Sequence, residues 1–121
     1  VMGKLLVHVT HGSEAPTRAA LGFLVAKAAA DAGHEVVMFL AGDAAVLVRD
    51  QVVDSLEGIG TGALSDTMAG VVDAGVRIYV SGGSAKSRGV TDTDIADKNA
   101  EFATPSRLVE LTFEADRVLT Y

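Results

Sequence analysis

The sequence predicts an α/β fold, a parallel sheet with helices on both faces. Short apolar runs alternate along the chain with segments of helical period, which is the pattern of strand–helix–strand units. The clearest strand candidates are also apolar throughout, not alternating, as expected of strands covered on both faces. Aromatic residues make up only 5% of the chain, so the core must be built from Val, Leu, Ile and Ala, which suits close packing of helices on a sheet.

The first strand is Leu5–Val9, ended by the breaker Thr10-His11-Gly12-Ser13. Pro16 sits where a first helical turn tolerates proline. Leu21, Leu24, Val25, Ala28 and Ala32 then follow helical spacing and predict the buried stripe of a helix, with Arg18, Lys27 and Asp31 on the wet side. Gly33 suits the position just past its end. Val36–Leu40 is the second strand. Asp43 is a natural N-cap for a short helix reaching about Arg49. The stretch from Gln51 to Gly62 reads as irregular, and its Gly58–Gly62 part as loop, because three glycines in five residues cost backbone entropy in any regular element.

Leu64, Met68, Val71 and Val72 mark the next helix, ended by Gly75, and Val76–Val80 is the third strand. Ser81–Val90 reads as a glycine-containing loop. Thr91–Asn99 is polar and suits a short helix or turn. Ala100–Ala103 is a short fourth strand. Thr104 and Pro105 form a helix start, hydroxyl cap followed by proline at the first position. Leu108, Val109, Leu111 and Phe113 supply that helix's apolar side, and Arg117–Tyr121 closes the sheet.

The 121 residues suffice for one domain, expected over residues 1–121. A net charge of −6 repels a phosphate backbone, and the densest basic cluster is the Lys86/Arg88 pair, so nucleic acid is not an expected partner. The absence of cysteine excludes disulfides, thiolate-bound zinc and thiol chemistry within the chain. The apolar start Leu5–Val9 is too short for a leader and is interrupted by His8. The longest apolar window, Ala19–Ala30, contains Lys27 and falls short of a membrane span. These features predict a soluble, cytoplasmic protein without a membrane contact.

In an open parallel sheet, ligands bind beyond the carboxyl ends of the strands. That rule selects four loops and a set of candidate ligand-binding residues: Thr10, His11 and Gly12; Gly42 and Asp43; Ser81, Gly82, Gly83, Ser84, Lys86 and Arg88; and Thr104. Glycines, hydroxyls and two basic side chains suit an anion or a polarised carbonyl. The same basic, glycine-paired segment also fits a plain strand–helix turn with solvated charges. Established nucleotide motifs are missing. Thr10–Glu14 is no G-x-G-x-x-G, and Gly82–Ser87 lacks the glycine that precedes the lysine of a P-loop.

His8 and His11 flank the end of the first strand, but no third metal ligand accompanies them, and His8 fits a structural role. His34, beside Gly33, suits a cation at a helix end. Asp92, Asp94 and Asp97 lack the spacing of a calcium loop, and Asp92 or Asp94 suits a helix cap. A Ser81–Lys86 nucleophile pair has no recognised spacing behind it. No catalytic residue, metal or cofactor is implied.

Four segments carry a resemblance: Val9-Thr10-His11-Gly12-Ser13-Glu14-Ala15-Pro16-Thr17-Arg18-Ala19; Phe39-Leu40-Ala41-Gly42-Asp43-Ala44; Ile78-Tyr79-Val80 running through Ser81 to Val90; and Ala103-Thr104-Pro105-Ser106-Arg107-Leu108-Val109. With these, the chain resembles the DsrE/DsrF-like family, in its TusD and YchN types, over essentially its whole length. The resemblance implies a three-layer α/β/α sandwich on a five-stranded parallel sheet, assembled as trimers or hexamers. In the sulfur-relay branch of that family, a persulfide-carrying cysteine follows the third strand. Ser81 stands at that position here, and a hydroxyl cannot replace the thiolate that forms an S–S bond. Three functions then remain open: a non-catalytic small-molecule or anion-binding homo-oligomer; an accessory subunit of a sulfur-relay complex whose cysteine lies on a partner; and a cysteine-independent enzyme using His11, Ser81 or Lys86.

Overall fold

Strand β1 (Lys4–Val9) lies second from one edge of a five-stranded sheet in the computed structural model, which describes residues 2–121. On one side it pairs with β2 (Glu35–Leu40), which pairs with β5 (Arg77–Ser81), which pairs with the edge strand β6 (Ala100–Ala103). On its other side lies the second edge strand, β7 (Arg117–Thr120). Every pair is parallel. The predicted parallel sheet, its five strands and their order along the chain are all present.

The registers fix which side chains share a face. Glu101, Tyr79, Phe39, His8 and Thr120 stand side by side across the sheet. Side chains alternate along each strand, so Leu6 and Val37 share this face and Val7, Val9, Met38 and Leu40 point to the other. The second face carries the main core. Helices α1 (Pro16–Asp31) and α3 (Leu64–Asp73) cover it through Phe23, Ala26, Met68 and Val71, all buried. Among the described residues the first face carries only α6 (Pro105–Glu114), whose Leu111 closes a small cluster with Leu6, Val37 and Phe39.

Helix α1 is present where proline and Gly33 place it, but its buried stripe is rotated. The residues against the sheet are Ala19, Ala20, Gly22, Phe23 and Ala26, whereas Leu21 and Ala28 are exposed and Leu24 and Val25 are half-buried. The helix is apolar nearly all round, so periodicity alone does not select a face. Packing selects small residues, because the helix backbone lies close to β1. A Cβ on Gly22 would stand 2.7 Å from the Val9 side chain.

Three further segments differ from expectation. Gly42–Val48 is a 3₁₀ segment capped at Ala41, so Asp43 lies inside its first turn and is not its cap. Gln51–Gly62 is more ordered than its glycines suggest: helix α2 (Asp50–Ser55) is followed by the two-residue strands β3 (Glu57–Gly58) and β4 (Gly62–Ala63). Ser81–Val90 is no loop, because Gly82–Ser87 form helix α4. Burial of Ala85 and Val90 anchors α4 against the core and outweighs the helix penalty of two glycines. Gly82 and Gly83 have no positive φ, so the tight turn expected of them is not what they provide.

Helix α5 (Asp92–Ile95) is capped by Thr91, and Asp94 accepts the Thr91 backbone N–H at 2.8 Å. The expected carboxylate role thus falls to Asp94, three residues into a capping box. In α6, Thr104 caps the first turn as its sequence predicts. Leu108 and Leu111 turn inward, but Val109 is 55% and Phe113 87% exposed.

Candidate functional site

The direction of the chain reverses at β1. From β1 the sheet grows one way through β2, β5 and β6, and α6 then carries the chain back to lay β7 on the opposite side of β1. Reversal also moves the connecting helix to the other face. Parallel sheets open a crevice beyond the carboxyl ends of the strands where order reverses in this way. Here that place lies past Val9 and Thr120.

Thr10 and His11 emerge from β1 at this point. Thr10 is held by Tyr121, whose carbonyl accepts both the Thr10 backbone N–H (2.8 Å) and the Thr10 hydroxyl (3.1 Å). The His11 ring lies between Thr10 Oγ1 (3.3 Å from Nδ1) and Arg18 (3.5 Å from Nε2). A guanidinium only donates, so Nε2 accepts and Nδ1–H donates to Thr10 Oγ1, which donates onward to Tyr121. His11, Glu14, Arg18, Pro16 and Leu21 line an open cleft of about 620 Å³. Its wall joins two basic nitrogen groups to an apolar strip.

The other candidate residues form a separate, interlocked group. Ser81 Oγ accepts the Ser84 N–H at 3.4 Å and caps α4. Ser84 Oγ accepts the Gly42 N–H at 2.9 Å. Gly42 has a φ of +58°, a conformation that glycine adopts at little cost, and it aims its N–H at α4. Arg88 reaches Asp43 at 3.0 Å and also donates to the Ser84 carbonyl. The groups proposed to hold an anion are therefore largely engaged with one another. Gly12 links the two clusters, because a Cβ there would collide with the Asp43 carbonyl.

Two predicted residues stand apart. Lys86 is exposed near the end of α4 beside a shallow hollow with Gly82, Val90 and Phe102. Thr104 spends its hydroxyl on the Arg107 N–H. No hydrogen bond among the described residues joins any two of His11, Ser81 and Lys86, so no nucleophile–base pair is assembled. His8 points away from His11: its ring meets Phe39 edge-on at 6.0 Å on the α6 face, and its Nε2 is buried without a partner. Burial lowers its pKa from the ordinary value. His34 Nδ1 accepts the Gly3 N–H at 2.9 Å, so its ring serves as an acceptor, not as the expected helix-end cation.

Sequence reading missed Arg18, Glu14 and Leu21 as cleft residues. A signal was present, since Arg18 falls in the first turn after Pro16 and so lies back over the loop holding His11. It also missed Lys98, a buried ammonium held by Asp50 (2.7 Å), Asp97 (3.0 Å) and the Asp94 carbonyl (2.9 Å). Burial pulls its pKa down, but the two carboxylates outweigh burial and leave it raised.

A family model described as the DsrE/DsrF-like family matches residues 3–121. The chain belongs to the DsrE/DsrF-like family. Its fold is similar to that of the ychN protein from E. coli, with a TM-score of 0.80 at 20% identity over 99% of this chain and 100% of that one. It is also similar to a conserved protein of unknown function, BT1422 from Bacteroides thetaiotaomicron, with a TM-score of 0.72 at 14% identity over 98% and 95% of the two chains. No curated protein sequence gives a significant match. This DsrE/DsrF-like chain thus carries the family fold with a serine capping α4 and no thiol anywhere. No helix among its described residues is long and apolar enough to cross a membrane.

Proposed function

We propose that the protein is a non-catalytic member of its family that binds a small anionic ligand and works as a homo-oligomer. The observation that carries this reading is the His11–Arg18 cleft at the point where strand order reverses. Its volume, about 620 Å³, lies in the range of small-molecule sites, which combine an apolar lining with a few placed polar groups. Arg18, positioned by His11, supplies donors for a carboxylate, phosphate or sulfonate, and Leu21 and Pro16 suit an apolar body. Glu14 on the same wall disfavours a ligand charged along its whole length. A catalytic reading has less support, because Ser81 donates no proton to a base and its hydroxyl serves α4.

Self-association is supported by apolar surface without a partner inside the chain. Phe113 is 87% exposed and Val109 55%, and Val118 on β7 lies on the same face. Exposed apolar residues grouped in this way mark an interaction surface.

The test is amide and imidazole NMR during titration with inorganic phosphate and with a short-chain carboxylate. Saturable shifts at His11, Arg18 and Leu21, lost in Arg18→Ala, are expected. Absence of any saturable shift in the cleft at millimolar anion would reject the ligand reading.

A further inference from the structure

Nε2 of His11 is the ring nitrogen that meets Arg18 on the cleft wall. Arg18 Nη1 lies 3.5 Å from it, and a guanidinium cannot accept, so Nε2 presents a lone pair there. The opposite nitrogen is committed elsewhere. Nδ1 lies 3.3 Å from Thr10 Oγ1, which donates on to the Tyr121 main-chain oxygen at 3.1 Å. An anion seated on Arg18 would bring its oxygens up to the Nε2 lone pair, acceptor against acceptor. A proton on Nε2 turns that conflict into a charge-assisted hydrogen bond. An imidazolium donates from both nitrogens, so the link to Thr10 stays intact and the ring need not turn.

The charges around the ring favour the same event. Among the described residues, the charged side chains on the cleft wall are Arg18 and Glu14. Glu14 accepts the Gly12 backbone N–H, which holds it at the His11 loop, and its charge offsets that of Arg18. The segment packed against Gly12 brings Asp43, which is already paired with Arg88 at 3.0 Å. Strand β7 meets the ring through Thr10 and the Tyr121 main-chain oxygen. With His11 neutral, a bound monoanion would therefore leave the cleft with a net negative charge. One proton on His11 balances it.

We propose that the cleft takes up its anion together with one proton from solvent, which settles on His11 Nε2, so that His11 and Arg18 jointly hold a single compact monoanionic head group. This rests on the ligand reading above and adds to it the proton and the charge of the ligand. The coupling is reciprocal: the anion favours the proton, and the proton tightens the anion by the same factor. Affinity then rises as pH falls through the range in which imidazole gains its charge.

Methanesulfonate is a suitable probe, because it is a monoanion with an apolar end and its own charge does not change in this range. Titration of the full chain at constant ionic strength is expected to show affinity falling about tenfold from about pH 6 to about pH 8, the scale of one charge-assisted hydrogen bond. Imidazole ¹⁵N spectra at about pH 7 read the proton directly. Saturating methanesulfonate is expected to move the His11 Nε2 signal from the acceptor toward the donor position, while Nδ1 remains a donor. His11→Gln has no proton to gain and is expected to lose the pH dependence. No saturable binding at either pH would overturn both this coupling and the ligand reading. Saturable binding with an unmoved Nε2 signal, with equal affinity at the two pH values, or with a pH dependence that survives in His11→Gln would overturn the coupling alone.

Discussion

Ser81 Oγ accepts the backbone N–H of Ser84, and Ser84 Oγ accepts that of Gly42. Two hydroxyls thereby tie the end of β5 to the end of β2 through the first turn of a six-residue helix. The position where the family resemblance places a thiol is here a structural cap.

Returning a thiol to that cap should give an activated cysteine. In Ser81→Cys the sulfur would sit where the Ser84 N–H already points, and a thiolate gains more from such a donor than a thiol does. The thiol pKa is expected below its ordinary value of about 8.5. No other cysteine obscures the reading, so alkylation rate against pH measures it directly. Alkylation that follows an ordinary thiol pKa would show that the site does not favour an anion.

Gly12 holds the β1 and β2 loops together by having no side chain. A Cβ there would collide with the Asp43 carbonyl and come within 3.1 Å of Val46 Cγ2. Backbone cannot move aside as a side-chain tip does. Gly12→Ala is therefore expected to cost about 1–3 kcal/mol, as overpacking of a tight site does, and to disturb the His11 loop. Urea midpoints report the cost, and a change at His11 in the NMR spectrum reports the displacement. A variant as stable as wild type with unmoved His11 signals would show that the loops are not in firm contact.

Lys98 organises the turn between α5 and β6. Its side chain is 6% exposed, and its partners Asp50 and Asp97 are mostly solvated. The solvated carboxylates lose little if the amine is removed, so the cost falls on the Asp94 carbonyl and the lost ion pairs. Lys98→Met keeps the buried stem and is expected to cost about 1 kcal/mol. Lys98→Ala should cost more, through lost packing. Equal costs for the two variants would mean that the stem contributes nothing.

Much of this fold was legible because apolar runs and capping residues are local signals. Val36–Leu40 is a continuous apolar run consistent with a covered strand, and Thr104-Pro105 is a clear helix start. The rotated face of α1 was not legible, since a helix apolar all round hides its contact side until the sheet lies against it. Helix α4 was hidden for a different reason: Gly82 and Gly83 argue against a helix locally, and burial of Ala85 and Val90 decides otherwise. The candidate site divides along the same line. His11 was identified by its strand-end position, whereas the engagement of Ser81, Ser84, Asp43 and Arg88 with one another depends on contacts between distant segments.

The last expectation concerns His8, which carries a buried, unpartnered Nε2 beside Phe39. Burial lowers its pKa in the folded chain, while in the unfolded chain it titrates near its ordinary value of about 6.5. Above that pH both states hold a neutral ring, and His8 causes no loss of stability. As pH falls below it, the unfolded state takes up the proton first, so stability declines until the lowered folded pKa is passed. His8→Phe removes both the titration and the orphaned nitrogen. It is expected to be close to wild type at pH 7 and to lose less stability than wild type between pH 7 and pH 5. The two proteins differ only at this residue, so the difference between their urea midpoints isolates His8. Identical pH slopes would show that the ring of His8 takes up its proton as readily in the folded chain as in the unfolded one.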